Sequence, residues 1–201
     1  MLPVPDSFRG DLMTANENLQ PALRQQADQL LQRLSPSERE ALMIKCWMLH
    51  DARWFMAVAR EFGMETANRI NKKAIRETGK IEAQRLISAL KLGPMKTVED
   101  YLLFVETVIG LFGPDLLDYD VRKVGDSECE LHVRRCFAYD NVTQAGIENE
   151  FECGIFARSG GWYEALGVDW EMTPPLGKCV KALGQECIHN FKFKYRLNSD
   201  G

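Results

Sequence analysis

The hydrophobic period changes at Gly113-Pro114, and this change constrains the fold more than any other feature of the chain. Before it, apolar residues recur every three or four positions, which is typical of helices that bury one face. After it, apolar and polar residues alternate, most clearly over 187–195, as they do in a half-buried strand. The sequence therefore predicts helices in the first half of the chain and an antiparallel sheet in the second half.

Capping residues and breakers place the boundaries of the predicted elements. Ser35-Pro36-Ser37-Glu38 fits a capping box with proline at the first helical position. Glycine and proline end the later helices, so four helices are predicted at 21–34, 36–62, 65–92 and 98–112. Gly125-Asp126 joins strands at 117–124 and 127–137, a helix follows at 153–166, and Gly184-Gln185 joins strands at 178–183 and 187–195.

These elements predict an α+β fold, in which the N-terminal helices pack on a four-stranded antiparallel sheet with β-β-α-β-β order. The predicted domains are an N-terminal arm and helix at 1–34 and a single α+β domain at 35–201. That domain has a helical part at 35–113 and a sheet part at 114–201.

Composition narrows the functional classes. The 201 residues include 25 Lys and Arg against 29 Asp and Glu, a net charge of −4, so we expect no nucleic-acid partner. The chain has neither a secretory signal at its start nor the roughly 20 apolar residues that span a bilayer, which predicts a cytoplasmic protein with no membrane partner. In that compartment the six cysteines are expected to be thiols, catalytic groups or metal ligands rather than disulfides.

Asp51 is the first candidate site residue, because it lies within a nearly continuous apolar helical segment at 46–55. Trp47 and Trp54 share its helical face, so the carboxylate is predicted to be partly desolvated and its pKa raised. Asp51 would act as a general acid or base, or orient a polar substrate, with the two tryptophans as substrate-binding residues. The alternative is a structural carboxylate that fixes helix packing.

Cys153 is the second candidate catalytic residue. It lies at the predicted start of a helix, where backbone N–H groups stabilise a thiolate, and Gly154 leaves space for a ligand. Cys136, Gly154 and Trp162 are predicted to line the substrate pocket with it. The alternative for Cys153 is a buried cysteine that fills space between helix and sheet.

The spacing of cysteines and histidines contains no C-x-x-C pair, so we predict no metal-binding residues and no cofactor. Zinc or iron stays open as the alternative, and its ligands would have to come from different elements. The available donors are Cys129, His132, Cys136, Cys153, Cys179, Cys187 and His189.

Two segments carry resemblances to known families. Residues 47–55, Phe62-Gly63-Met64-Glu65 and Cys153-Gly154-Ile155-Phe156 resemble an uncharacterised family of bacterial and archaeal cytosolic proteins. That family is similar to the L-2-amino-thiazoline-4-carboxylic acid hydrolases, which open a small sulfur heterocycle. The segment 179–187, followed by Phe191-Lys192-Phe193, resembles more weakly the end of 4-vinyl reductase domains, a fold shared with haem nitric-oxide sensors.

The first resemblance implies a hydrolase acting on a C–N or C–S bond of a thiazoline-carboxylate-like substrate. Cys153 would then be the nucleophile, and Asp51 the acid/base or orienting group. The second implies a non-catalytic sensor domain for an apolar or tetrapyrrole-like ligand. A third hypothesis is an interaction module that forms a homodimer, since the helix at 41–59 is apolar on nearly every side.

Overall fold

The computed structural model describes residues 19–195, and within them the predicted α+β class is confirmed. The chain divides into two compact units, of which the first ends at Lys45 and the second begins at Cys46. The helices of the described chain are α1 (Gln20–Leu31), α2 (Pro36–Phe62), α3 (Met64–Leu90), α4 (Val98–Phe112), α5 (Phe137–Gln144) and α6 (Ile155–Ala165). The strands are β1 (Leu117–Gly125), β2 (Glu128–Cys136), β3 (Val168–Thr173) and β4 (Cys187–Tyr195).

Local sequence signals set the helix ends as predicted. The Ser35 hydroxyl accepts from the backbone N–H of Glu38, whose carboxylate accepts from the N–H of Ser35 at 2.8 Å, which completes a capping box at the start of α2. Thr97 and Asp100 form a second capping box at the start of α4. Gly63 separates α2 from α3 at a positive φ of 81°, a backbone conformation that favours glycine.

The four strands form one antiparallel sheet in the order β1-β2-β4-β3. The β1–β2 hairpin around Gly125-Asp126 was predicted correctly. The second predicted hairpin is wrong in one strand, because 178–183 contains a short 3-10 turn, Val180–Leu183, and the fourth strand is β3. β4 therefore pairs with β2 on one side and β3 on the other, and no hairpin forms across Gly184-Gln185.

The helices that pack on the sheet come from both halves of the chain, so the prediction that the N-terminal helices cover it is only partly right. Val98 and Tyr101 of α4 and Phe156 and Tyr163 of α6 join one core cluster with residues of β2, β3 and β4. The strand residues of this cluster are Cys129, Val133, Val168, Cys187, Phe191 and Phe193. The cluster fixes α6 between the sheet and α3.

α3 and α6 approach each other more closely than side chains would allow. A Cβ atom at Gly79 would overlap the carbonyl oxygen of Arg158, and one at Gly161 would overlap the carbonyl oxygen of Arg76. Gly161 therefore allows backbone approach, whereas Gly160 packs against the Trp170 ring. α6 is continuous through both glycines, and α3 is continuous through Gly79. No helix among residues 19–195 is both long and apolar enough to cross a membrane.

Candidate functional site

Three adjoining cavities meet at Ile155, the first residue of α6. They are named here by one polar residue each: the Asp51 cavity (about 160 Å³), the Arg158 cavity (about 60 Å³) and the Tyr101 cavity (about 80 Å³). Met48, Phe137 and Ile155 line both of the first two, while Ile109, Leu117, Ile155 and Trp162 line both of the last two. The cavities therefore form a row around the N-terminal turn of α6.

The Asp51 cavity lies between α2, α3, α5 and the start of α6. Its polar side chains are Asp51, Asn71 and Asn141, and apolar residues form most of the remaining wall. Those residues are Met48, Ala52, Phe55, Met56, Ile75, Phe137, Ala138, Val142, Ala145, Ile147, Phe151 and Ile155, with Gly154 among them. A mostly apolar concavity with a few polar groups is the usual form of a small-molecule site.

Asp51 is the only carboxylate among the residues described as lining this cavity. Partial burial raises the pKa of Asp51, and the positive charges of Arg158 and His50 act in the opposite direction. The residue as a whole is exposed, so its carboxylate lies at the mouth of the cavity rather than in a closed interior. Within residues 19–195 Asp51 makes no hydrogen bond or ion pair.

The Arg158 cavity holds a positive charge that is already neutralised. Arg158 Nε and Trp162 Nε1 both donate to Oε2 of Glu82, at 2.8 Å and 3.3 Å, and Arg158 Nη2 donates to Oε1 of the same carboxylate. Glu82 and Arg158 are both largely buried. The guanidinium lies 4.8 Å from the ring centroid of Trp47 and 4.9 Å from that of Phe112, so it contacts the faces of both rings.

The Tyr101 cavity lies between α4, α6 and the sheet. Tyr101 is 1% exposed, and its hydroxyl has no hydrogen-bond partner among the described residues. Three other side chains of the wall are hydrogen-bonded: Ser159 Oγ donates to the carbonyl of Ile155, and Tyr119 donates to Glu106 at 2.6 Å. The Tyr101 hydroxyl is thus a buried donor without a described partner, carried by a residue that lines this cavity.

Cys153 lies one residue outside the Asp51 cavity, which Gly154 lines instead. Backbone N–H groups of Ile155 and Phe156 at the start of α6 favour its thiolate, as the sequence predicted, but burial outweighs them and raises the pKa of Cys153 to about 12. At neutral pH the side chain is a thiol. Its assignment as a nucleophile stays a prediction that these surroundings do not support.

Cys153 belongs to a group of four cysteines from separate segments of the chain, with Cys136, Cys179 and Cys187. Cys136 and Cys179 are close enough to Cys153 to raise its pKa, and both act in the same way on Cys187. Backbone bonds hold these segments together, since Cys153 N donates to the Gly177 carbonyl at 2.8 Å and Cys179 N donates to the Phe151 carbonyl at 3.4 Å. Across residues 19–195 no three potential ligands are placed to hold a metal ion.

The structure brings some of the predicted site residues together and separates others. Asp51 and Gly154 line one cavity, and Trp47 and Trp162 line the next. Trp54 is 56% exposed and lines none of the three cavities. Cys136 lines none of them either, although the next residue along the chain lines two.

Sequence reasoning missed Arg158, Asn71, Asn141 and Tyr101. Arg158 carried a usable signal, because it is the one basic residue in the helix Ile155–Ala165. A cation in a buried helix needs a partner, which predicts a paired carboxylate elsewhere. The other three lie in ordinary amphipathic patterns, and only the folded chain shows that they face a cavity.

Comparison with known proteins gives one match. Residues 32–109 match the model of a family of unknown function, DUF6125. The matched stretch contains Asp51, Asn71, Glu82 and Tyr101, while Arg158 and the sheet lie outside it. The chain is thus similar to that family over its helical part. No curated protein and no solved structure matches the chain.

Proposed function

We propose that this protein binds a small molecule in the Asp51 cavity, and that the ligand presents an amine or amidinium group to Asp51. The observation that carries the proposal is a partly buried carboxylate that faces an apolar cavity without an ion pair or hydrogen bond in the described chain. An unpaired carboxylate in partly apolar surroundings opposes folding, because part of its hydration is lost without compensation. A cationic ligand would supply the missing partner.

Arg158 does not take that role itself. Its guanidinium forms a two-pronged ion pair with Glu82, so the two charges cancel and the Asp51 carboxylate remains the net charge of the site. Arg158 acts to lower the pKa of Asp51, but partial burial outweighs it and the pKa of that carboxyl is raised. The pair leaves the Nη1 donors of Arg158 without an acceptor among the described residues, so a ligand with a carboxylate of its own has a second polar anchor.

Thermal unfolding in the presence of small ligands tests this proposal. n-Butylamine and acetamidine are expected to raise the unfolding temperature of the wild-type protein in a concentration-dependent way, because they bind only the folded state. Butanol and butyrate are matched controls without a positive charge and should give no shift. Asp51→Asn should abolish the effect of the cations.

Equal shifts with butylamine and butanol, or a full response in the Asp51→Asn variant, would contradict the assignment of the carboxylate as the ligand partner. Asn141→Ala is a useful second variant, since it changes a polar group of the same wall without altering the charge. It should weaken cation binding far less than Asp51→Asn does.

A second candidate function is hydrolysis of an amidine-containing ring. The observation that favours it is the raised pKa of Asp51, which brings the carboxyl closer to the range in which it exchanges protons as an acid/base. The Asp51 carboxylate would take one proton from the water that adds to the amidine carbon, and it would return that proton to the ring sulfur or nitrogen as the bond from the carbon to that atom breaks. The other water proton would pass from the new hydroxyl to an amidine nitrogen as the carbonyl forms. Such a ring with a carboxylate is the substrate type that the resemblance to thiazoline-carboxylate hydrolases implies.

Incubation with 2-amino-thiazoline-4-carboxylate tests this activity, with the ring-opened product followed by mass spectrometry. Turnover that Asp51→Asn removes and Cys153→Ser retains would assign the chemistry to the carboxyl group. Binding without turnover would leave a non-catalytic ligand-binding domain, the alternative that the C-terminal resemblance implies.

A further inference from the structure

We propose that the ligand is elongated: its cationic end lies at Asp51 and an alkyl chain extends past Ile155 into the Tyr101 cavity. This inference rests on the proposed function and adds the class of ligand to it. Its geometric basis is the row of three cavities that share wall residues, with Ile155 lining all three.

Size supports a ligand that occupies the whole row. The Asp51 cavity alone, at about 160 Å³, is close to the 150 Å³ of an engineered cavity that binds benzene. The three cavities together enclose roughly 300 Å³, which reaches the lower end of the range for natural small-molecule sites. A ligand confined to the first cavity would leave the other two empty, and unfilled apolar space destabilises a core.

The polarity of the cavity walls decreases along the row, as an amphiphilic ligand requires. The Asp51 cavity has a carboxylate and two amides, and the Arg158 cavity has a neutralised ion pair between aromatic rings. The Tyr101 cavity is apolar apart from a few side-chain oxygens, namely those of Tyr101, Glu106, Tyr119, Ser159 and Tyr163. A charged head at one end and methylene groups at the other match this gradient.

The unpaired Tyr101 hydroxyl adds a requirement at the far end. A buried hydroxyl without a partner is destabilising relative to a bonded one, so the ligand chain is expected to carry a neutral hydrogen-bond acceptor there. An ether or carbonyl oxygen would accept from Tyr101. A terminal methyl group would fill the space but leave the donor unpaired.

Calorimetric titration with n-alkylamines from butylamine to octylamine tests the chain. In the wild-type protein the dissociation constant is expected to fall up to about fourfold for each added methylene. Leu102 lines only the Tyr101 cavity of the three, so Leu102→Trp should fill that cavity, remove the gain with chain length and leave butylamine binding unchanged. Circular dichroism confirms that the variant is folded.

Tyr101→Phe tests the far end with a pair of ligands of equal length, 6-methoxyhexylamine and n-octylamine. The substitution should weaken the methoxy compound about tenfold relative to octylamine, because it removes the donor that the ether oxygen needs. This comparison remains informative even if Leu102→Trp does not fold.

The outcomes separate this inference from the proposed function. Equal affinity for butylamine and octylamine would overturn the elongated ligand and leave a cation site at Asp51. A gain with chain length that persists in Leu102→Trp would also overturn it, because the chain would then lie elsewhere. Failure of every amine to bind would overturn the proposed function and this inference with it.

Discussion

The two sides of α6 differ in how completely they are filled. Toward α3, the backbones meet at Gly79 and Gly161 with no room for a Cβ, and the buried Glu82–Arg158 pair links the two helices. At its N-terminal turn, the same helix borders three cavities and faces a carboxylate without a partner. The side of α6 that contacts α3, the closed side, stabilises the fold. Under the proposed function, the side that borders the cavities, the open side, receives the ligand.

Substitution of Gly161 by alanine should have the largest effect, because it acts on the closed side. The new methyl group would overlap the Arg76 carbonyl oxygen and lie 2.7 Å from the Lys80 amide nitrogen, both backbone atoms that cannot rotate away. We expect a loss of at least about 3 kcal/mol in the free energy of unfolding, or no folding.

Gly110→Ala is the matched control for that substitution. Gly110 lies in α4 with nothing within 4 Å of the added atom, so alanine should stabilise the helix by about 0.5–1 kcal/mol. Urea unfolding of both variants measures the difference. Similar stability of the two would mean that the α3–α6 contact is looser than the structure shows.

The reactivity of Cys153 tests whether its thiol, at the start of α6, is buried. A pKa of about 12 lowers the thiolate fraction at neutral pH about a thousandfold relative to a free cysteine with a pKa near 8.5. Alkylation by iodoacetamide, located by mass spectrometry, should therefore be at least about a thousandfold slower at Cys153 than at N-acetylcysteine. Modification at a comparable rate would restore Cys153 as a candidate nucleophile.

Glu82→Gln tests the buried ion pair on the closed side. The substitution leaves the Arg158 charge without a counter-charge between Trp47 and Phe112, and it is expected to destabilise the fold by about 3 kcal/mol. Glu164→Gln is the matched control, because Glu164 also links α6 to α3, through Arg76, but in an exposed pair. Glu164→Gln should lower the free energy of unfolding by less than about 1 kcal/mol. A loss as large as that of Glu82→Gln would show that burial does not make the Glu82–Arg158 pair more stabilising than the exposed one.

The sequence predicted features that depend on neighbouring residues better than those that depend on residues far apart in the chain. Hydrophobic period and caps predict helices and the first hairpin, because those signals act within a few residues. The strand Val168–Thr173 was missed, because its residues pair with β4 more than 15 positions away and carry no hairpin turn. Asp51 and Gly154 were named from local pattern and do share a cavity.

The state of Cys153 could not be predicted in the same way. Its position at a helix start is visible in the sequence, and the backbone N–H groups act on it as expected. The desolvation that outweighs them comes from burial within the folded chain, beside cysteines from segments that lie far apart in sequence. A local pattern can therefore predict the favourable contribution to a pKa without predicting which contribution is larger.

Asp51→Asn acts on the open side and should have the smallest effect on stability, with the opposite sign. The pKa of Asp51 is raised in the folded state above its unfolded value, so the folded chain holds this proton more tightly. Ionisation of Asp51 therefore destabilises the fold as the pH rises from the unfolded pKa to the folded pKa. Asparagine has no such charge, so the variant should be more stable than wild type at pH 7, by less than about 1 kcal/mol since the carboxyl is partly solvated. Urea unfolding between pH 4 and pH 7.5 should show this advantage shrinking as pH falls toward the ordinary pKa of an aspartate. If the variant is less stable than wild type at pH 7, Asp51 is instead a structural anchor of α2. The main argument for a cationic ligand in the cavity beside it would then be wrong.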